Sequence, residues 1–324
     1  MADLTRFINH VREQDLSVRC LYIYQHGKRV AAYEPLPDEK VDVYSATKSV
    51  VGLAAGIASD EGLLYVDEYV VDCFPDELPE VVSENWKKVQ VRNLLSMTIG
   101  FDTKVMMGEE WGRIQKTEPN WVRYALSQPL PNTPGTNFIY GGIGPYLISV
   151  LVSRRAGMDL IDYLMPRLFE PLGIARPDTR RCTMGYPIGA GGMTFSCEEF
   201  SRIGQMILDY GVYQGKRILS SQWIEDMSTM YGYQEGPDES LLTLADQKAN
   251  RRVIQAEDDA ELGDHYGYLW WIIEERKLFL ARGKFGQFCV IDRDHDAVIT
   301  VTSEERRDPH MIMRLIRRDI IPTL

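Results

Sequence analysis

The chain holds little that marks a metalloprotein or a redox protein. Its five histidines, His10, His26, His265, His295 and His310, form no H-E-x-x-H pair and no other zinc spacing. Its five cysteines, Cys20, Cys73, Cys182, Cys197 and Cys289, are odd in number and scattered, without a C-x-x-C pair. Reduced thiols in a cytoplasm are the expectation. The acidic run "DRDHD", Asp292 to Asp296, lacks the glycine and the distal glutamate of a calcium loop, so it reads as a hairpin turn. No G-x-S-x-G elbow is present, which argues against an ordinary Ser-His-Asp triad. No metal and no cofactor are expected.

Long apolar runs and positive patches are missing too. No stretch approaches the roughly 18 to 20 apolar residues of a membrane span. The opening "MADLTRFINHVREQDLS" mixes charged and apolar residues at helical spacing and reads as a first helix, not a secretory signal. The 36 basic and 47 acidic side chains leave a net charge of −11 with no dense Lys/Arg run. Such a surface repels phosphate backbones and anionic membranes, so nucleic acid and membrane are excluded as partners and a small-molecule substrate is expected.

What the chain does have is enough apolar material, 44% of 324 residues, for a sizeable core. "RCLYIYQHGKRVAAYEP" alternates about His26-Gly27 and predicts a hairpin. From about residue 76 to 230 the apolar spacing is helical, with a capping box from Ser196 to Glu199 and a stop at Gly211. The stretch 231–264 is polar and acidic and reads as a long mobile surface insertion. Strands return in "YGYLWWIIEE", "KLFLARGKFGQFCVIDR" and "DAVITVTSEE" before a C-terminal helix. Strands at both ends with helices between them predict an α+β protein. Its antiparallel sheet domain would come from 1–75 plus 231–324, with an all-helical domain inserted over 76–230.

Within "VYSATKSVVGLAAGIASDEGLL" a serine and a lysine stand three residues apart, Ser45 and Lys48, at the opening of a small, apolar helix. Positions i and i+3 share one helix face with Cβ atoms roughly 5 to 6 Å apart. The pair is either an N-cap serine with a solvated lysine or a nucleophile with its base. A serine hydroxyl needs a base within hydrogen-bond reach. Lys48 can serve only if partly neutral, and burial in an apolar helix disfavours its charge.

Three ordered features resemble the serine β-lactamases and penicillin-binding proteins: Ser45-Ala-Thr-Lys48, Tyr140 after "PGTNFI", and Lys284-Phe285-Gly286 on a late strand. "VRNLLSMTIGF", "LFEPLGI" and "GAGGMTFSCEEFSRIGQMIL" resemble further segments of that superfamily, over about residues 20 to 320. The class C β-lactamase branch, with its family VIII carboxylesterases and D-amino-acid peptidases, is the nearest in pattern. The resemblance implies a β-lactamase-like fold and a serine hydrolase acting through an acyl-enzyme on a small ester or amide. It implies Ser45 as nucleophile, Lys48 and Tyr140 sharing the base role, and backbone N–H groups of Ser45 and Gln287 as the oxyanion hole. It further implies that Gly286 lets the strand approach a ligand and that Lys284 sets a cation beside the cleft. The branch shows Tyr-x-Asn where this chain has Tyr140-Gly141-Gly142, so the substrate-facing amide is replaced by Gly142. That replacement favours esters over amides. The competing reading is a catalytically silent binding or regulatory protein on the same fold.

Overall fold

The computed structural model describes residues 3–233 and 265–324. All but the first three residues of the acidic stretch 231–264 lie outside them. Strand β1 (Val18–Gln25) turns at His26-Gly27, both with positive φ, into β2 (Lys28–Tyr33). That is the two-residue hairpin expected from the sequence, since twisted strands favour turns with two left-handed central residues. Two small ribbons lie apart from the main sheet: β3 (Val41–Asp42) with β4 (Thr194–Phe195), and β5 (Val212–Tyr213) with β6 (Lys216–Arg217).

The remaining strands are β7 (Gly232–Tyr233), β8 (His265–Tyr266), β9 (Trp271–Glu274), β10 (Leu278–Gly283), β11 (Gln287–Asp292) and β12 (Ala297–Ser303). With the first hairpin they form an eight-stranded sheet in the order β2-β1-β12-β11-β10-β9-β8-β7. Its neighbouring strands pair antiparallel, with Ile23 opposite Ile299 and Arg282 opposite Phe288. Strands from the two ends of the chain, β1 and β12, therefore lie side by side within the sheet. Every residue of β10, β11 and β12 is buried, which requires cover on both faces.

The helices are α1 (Thr5–Glu13), α2 (Thr47–Asp60), α3 (Val70–Cys73), α4 (Val91–Ser96), α5 (Glu110–Thr117), α6 (Trp121–Leu126), α7 (Ile143–Ala156), α8 (Leu160–Leu164), α9 (Cys197–Leu208) and α10 (Ser221–Met227), then a C-terminal helix at Pro309–Leu315. Two details differ from the sequence reading. The expected strand in "YGYLWWIIEE" is split, because Leu269 turns into the left-handed region (φ 62) between β8 and β9. Helix α9, inside the stretch 76–230, lies across β12, β11 and β1 of the sheet. Its Ser196–Glu199 capping box is formed as expected.

Helix α2 packs on α7 and on β10, and twelve of its fourteen residues are buried. Small residues allow this: a Cβ at Gly52 would come within 2.8 Å of the Tyr268 carbonyl, and one at Gly56 within 2.4 Å of the Trp223 ring. Among the described residues no helix is long and apolar enough to cross a membrane.

Candidate active site

The turn that opens α2 is held from three sides. Residues Tyr44–Ala46 form a single 3-10 turn, and Tyr44 takes a left-handed φ of 48°. A tyrosine there is strained, and strain of that kind persists only where surroundings over-determine it. Here the carboxylate of Asp42 accepts the Tyr44 N–H at 2.7 Å, and the Tyr44 ring stands edge-on to Phe285 with centroids 5.0 Å apart. The segment 190–195 runs alongside: Val43 N–H donates to the Met193 carbonyl at 3.0 Å, and Met193 N–H donates to Thr47 Oγ1 at 3.1 Å. On the third side β10 passes so close that a Cβ on Gly283 would lie 2.0 Å from the Val43 carbonyl oxygen.

Ser45 and Lys48 meet in this frame. Lys48 Nζ donates to Ser45 Oγ at 3.0 Å and to the Ala190 carbonyl at 2.8 Å. Lys48 is 1% exposed, while Ser45 keeps partial access. The ammonium also lies over the Tyr140 ring, 4.7 Å from its centroid. Tyr140, 3% exposed, is boxed by Trp271 (5.1 Å) and Tyr266 (6.0 Å), and the guanidinium of buried Arg282 lies 3.8 Å over Trp271. So the structure brings Ser45, Lys48 and Tyr140 into one group, with Lys48 and Tyr140 buried and Ser45 partly accessible.

Lys284, Phe285 and Gly286 form the three-residue loop between β10 and β11, with Gly283 opposite Gln287. Phe285 and Gly286 both have positive φ, 65° and 86°. The Lys284 ammonium lies 4.9 Å over the Phe285 ring, and through that ring's contact with Tyr44 the loop borders the serine turn. A Cβ on Gly286 would meet Ile312 at 2.7 Å and Ser303 at 3.1 Å, so glycine here answers to packing against the C-terminal helix. The Gln287 side chain donates to the Ser303 carbonyl and accepts the Ser303 N–H at 3.2 Å. It extends the β11–β12 ladder by one rung and fixes the start of β11.

Gly142 is buried at the N-terminus of α7, two residues past Tyr140. A Cβ there would lie 2.1 Å from the Met106 carbonyl oxygen and 2.7 Å from Trp111. The place of an asparagine side chain is thus filled by another part of the chain. Sequence reading missed Asp42, the Ala190 carbonyl, Trp271 and Arg282. "GAGGM" was a partial signal for the second of these, since a glycine-rich stretch lets a carbonyl approach a buried amine.

A family model described as Beta-lactamase matches residues 8–319. Among curated proteins, a 6-aminohexanoate-dimer hydrolase of Paenarthrobacter ureafaciens is 25% identical over 208 residues, 59% of this chain and 51% of that protein. A monacolin J acid methylbutanoyltransferase of Aspergillus terreus is 30% identical over 160 residues, 43% of this chain and 38% of that protein. These alignments span about half the length of the curated relatives or less. Among solved structures, a family VIII carboxylesterase superposes with a TM-score of 0.70 at 14% identity, covering 97% of this chain and 94% of its own, a likeness of fold. With the family match running over nearly the whole sequence, the chain belongs to the Beta-lactamase family.

Proposed function

We propose that the protein is a serine hydrolase that cleaves small esters through an acyl-enzyme on Ser45. The observation that carries this is the 3.0 Å contact of Lys48 Nζ with Ser45 Oγ, with the lysine buried. That is hydrogen-bond reach for a base, and a buried amine is the kind whose neutral form is accessible. Ser45 Oγ attacks the ester carbonyl and its proton passes to Lys48, directly or shared with Tyr140. The carbonyl–oxygen bond to the leaving group then breaks, and the departing alkoxide takes that proton. Water attacks the acyl-Ser45 ester, giving up a proton to the same pair; the bond from the acyl carbon to Ser45 Oγ then breaks, Oγ takes that proton back, and the acid is released. Backbone N–H groups of Ser45, before α2, and of Gln287, opening β11, are the proposed donors to the developing oxyanion.

Esters are preferred over amides in this reading because the position of the family's substrate-facing amide is Gly142, closed by Met106 and Trp111. A substrate amide would lose about 0.5 to 1.5 kcal/mol of hydrogen bonding there. A second reading, β-lactam or D-amino-acid peptide hydrolysis, is favoured by Lys284, a cation at the border of the serine turn. The transferase name of the Aspergillus relative fits the same acyl-enzyme discharged to an alcohol. The five cysteines are free thiols, which supports a reducing compartment.

The test is intact-mass labelling with a fluorophosphonate probe, followed by kcat/KM for p-nitrophenyl butyrate and nitrocefin on one preparation. One adduct, absent in Ser45→Ala at an unchanged melting temperature, and faster turnover of the butyrate are expected. Labelling that persists in Ser45→Ala moves the nucleophile elsewhere. No labelling at all means a silent binding protein, and a preference for nitrocefin means a β-lactamase.

A further inference from the structure

A cavity of about 440 Å³, a size that suits a small organic molecule, shares its walls with the site just described. On one side its lining includes Ala190, whose carbonyl holds Lys48. On another it includes Trp111, which packs over Gly142 just beyond Tyr140. Its body is apolar and aromatic: Trp111 and Trp121 lie with ring centroids 5.4 Å apart, beside Ile188.

Beside the polar Gln115, two guanidinium groups also line the cavity, and they differ. Arg181 is spent, bonded to both oxygens of Asp159 (2.6 and 3.2 Å) and to the Gly185 carbonyl (2.8 Å). Arg180 is not. Among the described residues its guanidinium makes one hydrogen bond, from Nη2 to Asp42 at 2.6 Å, and its side chain is 63% exposed. A guanidinium carries five N–H donors. Its position is nonetheless fixed. The aliphatic stem lies across Gly192, where a Cβ would meet Arg180 carbons at 2.4 to 2.9 Å, and Asp42 is itself anchored by the Tyr44 N–H. The pair therefore belongs to the same frame that holds the serine turn.

We propose that this cavity binds a substrate arm that is apolar along its length and ends in a carboxylate, with Trp111 and Trp121 against the arm and Arg180 paired to its anionic end. A planar guanidinium with an open edge matches a carboxylate, and charge-assisted bonds of that kind are the stronger class. The protein's net charge of −11 works against anionic substrates in general, so any preference for one must come from a local cation. This assignment deepens the serine-hydrolase reading and rests on it for the word substrate.

Two measurements separate the assignment from that reading. The first compares kcat/KM for mono-p-nitrophenyl suberate and for its neutral methyl ester. A preference of about tenfold for the anionic ester, equivalent to about 1.4 kcal/mol, is expected. It should collapse in Arg180→Gln and be partly kept in Arg180→Lys, with melting temperatures confirming that both variants fold. A ratio near one in the parent, or a preference that survives Arg180→Gln, overturns the assignment even if both esters are hydrolysed. The second titrates 4-phenylbutyrate and 4-phenylbutanol into Ser45→Ala and follows tryptophan fluorescence. Saturable binding of the acid over the alcohol, lost on adding Arg180→Gln, supports the cavity even if no ester is turned over. Equal binding of both, or none, overturns it.

Discussion

Gly142 shows what a single residue tells and conceals. In the sequence it reads as a missing asparagine, an absence bearing on substrate. In the structure the vacancy is closed, since Met106 and Trp111 occupy the space a side chain would need. Gly142→Asn should therefore not restore an amide-binding group but destabilise the fold by about 1 to 3 kcal/mol, the cost of overpacking a filled site. A urea midpoint unchanged from the parent, with new amidase activity, would contradict this. Ser45 and Lys48 were legible because helix geometry sets their spacing. Tyr140 came from motif order alone, and its aromatic box is long-range in sequence, so nothing local announces Trp271 or Tyr266. Because Lys48 lies over the Tyr140 ring, the two should act as a unit. Lys48→Ala and Tyr140→Phe are each expected to lower kcat by about 10²- to 10⁴-fold, with the double variant little worse. Additive losses would assign them separate roles.

The elements were read from the sequence where a local rule governs them. The His26-Gly27 hairpin and the Ser196 cap follow from turn and cap chemistry, and both formed. Helix α5 falls within the stretch 76–230 read as helical, although it is mostly polar and fully buries only Ile114. The break at Leu269 was missed because neither glycine nor proline marks the turning residue itself. Helix α2 invites a test of which force dominates. Replacing Gly56 with alanine should gain about 1 kcal/mol of helix propensity. Against that, three Trp223 ring atoms would sit 2.4 to 2.7 Å from the new methyl, and the same ring donates to the Gly52 carbonyl at 3.1 Å. Overpacking costs about 1 to 3 kcal/mol, so Gly56→Ala should be net destabilising in denaturant titration. A stabilised variant would mean that Trp223 yields without cost.

The whole molecule depends on bringing its two ends together, and buried carboxylates make those joints. Asp319, fully buried, accepts from Arg318 Nε at 2.8 Å and bonds His10 Nδ1 at 2.9 Å, tying the C-terminus to α1. Glu305 accepts the Ser17 N–H at 3.0 Å and the Arg307 N–H at 2.7 Å, while its own N–H donates to the Phe285 carbonyl at 3.1 Å. The joint at β1 is therefore one bond from the loop carrying Lys284. Burial alone would raise both carboxyls, but the Ser17 and Arg307 bonds to Glu305, and the Arg318 and His10 contacts to Asp319, together hold each below its ordinary value. A carboxyl depressed in the folded state contributes stability that is complete above its unfolded pKa, about 4, and is lost as pH falls through the lower folded value. Melting temperature should therefore stay level from neutral pH down to about 4 and drop steeply below it. Glu305→Gln should lie lower at neutral pH and fall less steeply in acid, converging on the parent once the parent's Glu305 is protonated. Parallel curves for parent and variant would show that Glu305 is not among the groups whose protonation opens the molecule.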